Sequence, residues 1–148
     1  MAKPKLLIAS DHAGYELKER LKKNLTHVEW VDLGPSDSAR VDYPDFADRL
    51  SSQIQKNGGQ GVLICGSGQG MAIRANRYRG VRAALVWNEA STLLSRQHND
   101  ANVLCLGARL VDPALSEKLV ELFLSTKFEG GRHQDRINKL GLQPREGC

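Results

Sequence analysis

"VLICGSGQGMAIRAN", Val62 to Asn76, decides how the rest of the chain is to be read. Val62, Leu63 and Ile64 form an apolar run that delivers Cys65, and Gly66, Gly68 and Gly70 follow at alternate positions before a helix-like segment. An apolar run, a glycine turn and a helical pattern in succession predict a strand, a tight loop and a helix. The same unit recurs outward in both directions. Lys5–Ala9 reads as a buried strand, and Leu17, Leu21 and Leu25 recur every four residues between Tyr15 and Leu25. Glu16 lies four before Arg20 and Glu19 four before Lys23, which predicts a solvated opposite face on that helix. Val28–Leu33 is a second strand, closed by Gly34–Pro35. Pro44 starts a helix with Phe46, Leu50 and Ile54 on one stripe, stopped by Gly58–Gly59. Val62–Cys65 is the third strand, Val81–Trp87 the fourth and Val103–Gly107 the fifth, with a helix from Glu89 to about His98 before the last. Asp112 is expected to cap, and Pro113 to open, a helix that turns Leu115, Leu119, Leu122 and Phe123 inward. A final helix runs from about Arg132 to Leu140, and the tail from Gly141 to Cys148 is expected to fray.

Five alternations of strand and helix predict an α/β fold: a Rossmann-like three-layer sandwich with a five-stranded parallel sheet and right-handed crossovers. At 148 residues the chain is expected to be one domain, 1–148, and its 41% hydrophobic content suffices for a core. No run approaches the roughly 18 apolar residues of a membrane span. "MAKPKLLIAS" runs straight into Asp11 and His12, as a strand does and a signal peptide does not. Three cysteines, an odd count without a C-x-x-C pair, argue against a disulfide framework or a zinc site and point to the reducing cytoplasm. The formal charge of +4 and pI near 9.1 are mildly basic, but the basic residues are scattered rather than striped. Nucleic acid is therefore not expected, and a phosphorylated small molecule is the more economical partner.

Ligands of open parallel sheets bind beyond the carboxyl ends of the strands. Strand one ends in "SDHAG", giving Asp11 and His12; strand three ends in "CGSGQG"; strand five ends in "LGARL", giving Arg109. The G-x-G-x-G loop can turn backbone N–H groups toward an anion at a helix start. It is no Walker loop, since no Gly-Lys-Ser/Thr follows, and it departs from the dinucleotide pattern G-x-G-x-x-G. A plain tight turn is the bland alternative. Cys65 sits where strand yields to loop, a position suited to a nucleophile or a proton-transfer base. Cysteine phosphatases need an Arg six positions after the Cys, and here that position is Met71. Cys105, in "VLCLG", reads as a small core hydrophobe and Cys148 as incidental. Of the histidines, His27 reads as structural. His12, His98 and His133 each lie in a polar cluster, "SDHAG", "SRQHND" and "GGRHQDR". Arg132 and Arg136 share a helix face at i, i+4, which suits a phosphate dianion.

Taken together, "SDHAG", "DYPDFA", "ICGSGQGM", "RAN" at Arg74–Asn76, "SRQHNDANVL", "GAR" and "EGGRHQDR" resemble the type B ribose-5-phosphate isomerases and their relatives acting on allose and galactose phosphates. The resemblance covers essentially the whole chain up to Leu140. It implies interconversion of ribose 5-phosphate and ribulose 5-phosphate through an enediolate, without metal or cofactor. The family has two kinds of base: a Cys at the strand end, or a Glu where this chain has Met71. The resemblance therefore implies Cys65 as base, Ser67 as proton shuttle (some members have Thr there), and His98 with Asp11 for ring opening. It further implies that His12, Arg109, Arg132, His133 and Arg136 bind phosphate, and that Tyr43, Gly66, Gly68, Gly70 and Asn99 complete the substrate site. It also implies a homodimer, or a dimer of dimers, with shared sites. An isomerase for allose 6-phosphate or galactose 6-phosphate, or a non-catalytic phosphosugar-binding subunit, are the alternatives. Topology independently favours sharing. A crossover helix returns toward the amino ends of its strands, while a five-residue strand spans about 17 Å. His98 is thus expected far from Cys65 of its own chain unless the Gln97–Asp100 loop climbs back over the sheet.

Overall fold

The computed structural model describes residues 2–147; Cys148 lies outside them. Among these residues the chain alternates strand and helix as β1 (Lys5–Ser10), α1 (Tyr15–Asn24), β2 (Glu29–Asp32), α2 (Tyr43–Asn57), β3 (Gly61–Cys65), α3 (Gln69–Ala75), β4 (Ala83–Leu85), α4 (Glu89–Gln97) and β5 (Val103–Gly107), closing with α5 (Pro113–Ser125) and α6 (Arg132–Leu140). All strand pairs are parallel, in the order β2-β1-β3-β5-β4. The expected sheet sandwiched by helices is therefore present.

Side-chain alternation divides the core into two layers. Leu6, Ile8, Val62, Ile64, Leu104 and Leu106 face Leu17 and Leu21 of α1 and Leu119 and Phe123 of α5. Leu7, Ala9, Leu63, Cys65, Val103 and Cys105 face Phe46, Leu50 and Ile54 of α2 and Met71 of α3. Strand order follows burial. β3 and β5 are buried at every position and occupy the interior, whereas β2 and β4 are short, only partly buried edges.

Two expectations need correction. β4 is three residues, not seven: Val81 N–H turns back to Tyr78 O, and Trp87 N–H is taken by Ser91 Oγ in the cap of α4. Asp112 precedes α5, but its side chain makes no capping hydrogen bond. On α1, Glu16, Arg20 and Lys23 are exposed as expected, while Lys18, flanking the apolar stripe, is wholly buried. Its Nζ donates to Asp32 Oδ2 at 2.7 Å and to Glu19 Oε2 at 3.3 Å, and Lys22 binds the same two acids at 2.6 and 2.8 Å. A buried ammonium persists only when paired, so α1 is fastened to β2 by charge. Asp32 also accepts the Gly34 N–H at 2.8 Å, and Gly34 O accepts the Ser10 N–H at the end of β1. Burial raises the Asp32 pKa, but hydrogen bonds from Lys18, Lys22 and Gly34 outweigh it and the net shift is downward.

Asp32→Asn tests this fastening. Breaking a fully buried pair costs roughly 3–5 kcal/mol. Here Asp32 is 27% exposed and Glu19 still neutralises Lys18, so about 2 kcal/mol is expected at pH 7. Because the folded pKa is depressed, the wild-type advantage is complete above about pH 4 and shrinks as pH falls below it. Denaturant titrations at pH 7 and pH 3 check both parts; an equal difference at the two pH values refutes the charge argument.

Candidate active site

Asp11, Tyr43, Cys65, Gly66, Ser67, Gly70 and Arg109 surround a cavity of about 380 Å³ beyond the carboxyl ends of β1, β3 and β5. These three strands are adjacent in the sheet, so their ends form one mouth. Asp11 is buried, and its Oδ1 accepts the Gly14 N–H at 3.0 Å, which closes the turn into α1. Cys65 ends β3, and its Sγ accepts the Gly68 N–H at 3.1 Å. Gly68 has φ +76°, and a Cβ there would come within 2.9 Å of the Leu106 carbonyl carbon, so the loop depends on glycine at this position. Ser67 Oγ accepts the Gln69 N–H at 3.3 Å, which leaves the hydroxyl proton free to donate. The Arg109 guanidinium lies over Gly66, and the Tyr43 ring lies against Gly70. Met71 points into the core, fully buried. Cys105 is also fully buried, and desolvation, reinforced by Cys65, pushes its thiol pKa far up, which makes it chemically inert.

His12 and Gly68 do not line this cavity; His12 stands beside it, its Nδ1 accepting the Val41 N–H at 3.3 Å. The remaining candidates lie elsewhere. His98 caps the end of α4, five residues before β5 begins, while Cys65 is in register with Gly107 at the far end of β5. The loop after His98 does not climb over the sheet. Asp100, at φ +44°, binds Arg96 and Arg82, and Arg82 directly precedes β4. At this opposite rim the His98 ring stacks on His133, with centroids 4.2 Å apart. His133 is 5% exposed; desolvation, then His98 and Arg132, hold its pKa below the usual imidazole value. Arg132 and Arg136 are exposed on α6, with no ion pair among the described residues. Asn99 lines a second, larger groove of about 770 Å³, with Leu85, Trp87, Leu94, Leu140 and Leu142. That groove holds no cysteine or histidine, and its Ser91 and Ser95 hydroxyls donate to backbone carbonyls within α4 and its cap. Sequence reasoning missed Glu129, which stands 3.8 Å from His98 Nε2 and 3.6 Å from His133 Nε2; its place in "EGGRHQDR" was the available signal.

The sequence and the fold both have counterparts among named proteins. The family model described as Ribose/Galactose Isomerase matches residues 6–140. A probable ribose-5-phosphate isomerase B of Mycoplasma genitalium is 46% identical over 140 residues, 91% of this chain and 92% of that protein. The ribose-5-phosphate isomerase B of Escherichia coli is 40% identical over 141 residues, covering 92% and 93%. The Thermotoga maritima ribose 5-phosphate isomerase structure superposes with a TM-score of 0.90 at 47% identity, over 93% of this chain and 97% of that one. The Mycoplasma genitalium enzyme with bound ribulose-5-phosphate gives 0.89 at 44% identity, over 95% and 96%. With sequence and fold in agreement along nearly the full length, this chain belongs to the ribose/galactose isomerase family.

Proposed function

We propose that this chain interconverts ribose 5-phosphate and ribulose 5-phosphate with Cys65 as the base and without a cofactor. The observation that carries the reading is the sulfur of Cys65. It ends a buried strand, accepts one loop N–H and faces a cavity with Asp11, Ser67 and Arg109. The chain is an aldose–ketose isomerase, and its substrate is a phosphosugar.

In the proposed reaction the Cys65 thiolate takes the proton from carbon 2 of the open-chain aldose. The C–H electrons form the carbon 1–carbon 2 double bond, and the carbonyl oxygen gains negative charge. N–H groups of the Gly66–Gly70 loop stabilise that oxyanion; losing one such donor typically costs about 3–4 kcal/mol. Ser67 relays a proton between the two oxygens, and the Cys65 thiol returns its proton to carbon 1. Asp11 offers its unbonded oxygen to a sugar hydroxyl, and Tyr43 closes the mouth. The neutral His12 ring, whose Nδ1 accepts from Val41, carries its proton on Nε2 and donates there.

Ring opening by His98, and phosphate binding by Arg132, His133 and Arg136, then require a second copy of the chain. Two observations support this. The two groups of residues sit at opposite rims of one sheet. Trp87, Leu94, Leu140 and Leu142 also remain exposed along the groove beside His98, an apolar surface suited to self-association. A two-fold dimer pairs each Cys65 cavity with the partner's His98 rim twice over. Asn99, on the same loop, reaches the sugar in that arrangement, and Arg109 meets the phosphate from the Cys65 side. The compartment is read as cytoplasmic, in keeping with Cys65 and Cys105, both free among the described residues. Among the described residues no helix is long and apolar enough to cross a membrane.

Cys65→Ala should abolish exchange of the carbon 2 proton with solvent while sugar phosphate still binds. Retention of more than about a tenth of turnover, a loss below about 1.4 kcal/mol of barrier, removes Cys65 from this role. Met71→Leu, a volume-conserving change in the core, should be nearly silent. Relative rates on ribose 5-phosphate and allose 6-phosphate decide the preferred sugar.

Arg132→Ala and Arg136→Ala should each raise KM for the phosphorylated sugar far more than they lower kcat. An equal proportional loss on unphosphorylated ribose assigns the arginines to structure instead.

Site sharing is tested by complementation. Cys65→Ala and His98→Ala proteins, each inactive, are mixed, dissociated and reassociated. About half the dimers are then mixed, each with one intact site, and about a quarter of wild-type activity should return. No recovery despite subunit exchange, verified by mass spectrometry, refutes sharing.

A further inference from the structure

We propose that His98, Glu129 and His133 bind a divalent transition-metal ion of the zinc class, which enters in competition with the sugar phosphate. Two segments bring the groups together: His98 from the end of α4, and Glu129 with His133 from the loop into the first turn of α6. The backbone holds the arrangement, since Glu129 N–H donates to Gln97 O at 3.0 Å and His133 N–H to Gly130 O at 3.1 Å. One potential ligand atom from each side chain lies within 4.8 Å of the other two.

The spacing fits an ion better than it fits direct hydrogen bonds. Glu129 Oε1 stands 3.6 Å from His133 Nε2 and 3.8 Å from His98 Nε2, beyond hydrogen-bond range in both cases. Two N or O ligands at 2.0–2.2 Å on one tetrahedral zinc are about 3.4 Å apart, close to these separations. His133 Nε2 is buried and has no hydrogen-bond partner, in a side chain only 7% exposed. Such an atom is costly unless something from outside satisfies it. The rings now stack at 16° with their lone pairs nearly parallel, so convergence on one ion requires a ring to turn. His98, with its side chain 38% exposed, has the room to do so. Three protein ligands leave a fourth position open, as in zinc sites that accept an exogenous ligand. Arg132 and Arg136 repel a bare cation, which weakens the site.

Imidazole and carboxylate together select zinc, cobalt, nickel and copper over magnesium and calcium. Cys65 and Cys105 take no part, so the ligand set differs from any cysteine site. Binding stands independently of the isomerase reading; only the competition with substrate rests on it.

The experiment is equilibrium dialysis of the full chain against Zn²⁺ at neutral pH, with Co²⁺ as the spectroscopic probe. One ion per chain is expected, with cobalt absorption typical of nitrogen and oxygen ligands and without a thiolate charge-transfer band. Glu129→Gln, at an exposed position that should not disturb folding, should weaken binding at least tenfold, and His133→Asn likewise. Cys65→Ala should bind as the wild type does. Zinc should raise the apparent KM of the wild type and leave that of Glu129→Gln unchanged at the same concentration. Absence of stoichiometric binding, undiminished binding by Glu129→Gln, or a thiolate band that disappears in Cys65→Ala overturns the proposal. If the ion binds as expected but neither protein isomerises ribose 5-phosphate, the site stands and the functional reading falls.

Discussion

A helix that follows a strand in a parallel sheet must run back to the amino end before the next strand can start. Most of the functional anatomy of this chain follows from that constraint. Residues at strand ends collect at one rim: Asp11, Cys65 and Arg109 from three adjacent strands. Residues at helix ends collect at the other, where the end of α4 delivers His98 to the start of α6. A single copy therefore carries the two groups of candidate residues at opposite rims. Insertion of β5 between β3 and β4 sharpens the division. It puts the Arg109 turn beside the Cys65 loop, where Arg109 N–H donates to Gly66 O at 3.0 Å.

Position along a strand, rather than residue type, separates the two described cysteines. Cys65 and Cys105 share one face of the sheet and one core cluster. Cys105 lies in mid-strand, where burial makes its ionised form prohibitive. Cys65 is the last residue of its strand, where the backbone turns and offers the Gly68 N–H to sulfur. A shift of two residues thus separates a packing atom from a candidate base. The core position of Met71 agrees with the proposed role of Cys65: if sulfur at the strand end is the base, the loop needs no acid at position 71, and Met71 is buried.

The sequence made the alternation of elements legible because the apolar runs are short, distinct and bounded by glycine and proline. It also exposed the strand-end residues, since parallel sheets bind ligands there. Strand order was not legible, because it depends on how strands compete for the fully buried interior positions. The length of β4 was misjudged because "VRAALVW" has the composition of a strand, yet its ends are claimed by a turn at Tyr78 and by the cap of α4. The burial of Lys18 was not legible, because its partner Asp32 lies 14 residues away on an edge strand. Glu129 escaped notice because its relation to His98 is purely tertiary. The i, i+4 relation of Glu129 to His133 was visible, but it crosses two glycines and reads as loop.

The arginines divide in a way that bears on the ligand. Arg74, Arg82 and Arg96 each meet an aspartate, and Arg20 meets Glu117, so their charge is used within the fold. Arg109, Arg132 and Arg136 have no acidic partner among the described residues, yet each stands beside groups of chemical interest: Cys65 for the first, His133 for the other two. Exposed arginines without acidic partners among the described residues also occur at Arg77 and Arg79, on the larger groove, so lack of a partner alone is a weak signal. Its combination with placement is stronger. Three guanidiniums divided between two rims can converge on one dianion only if the rims of two copies meet. On the proposed reading, binding of the substrate phosphate by all three and a site shared between copies are therefore one requirement.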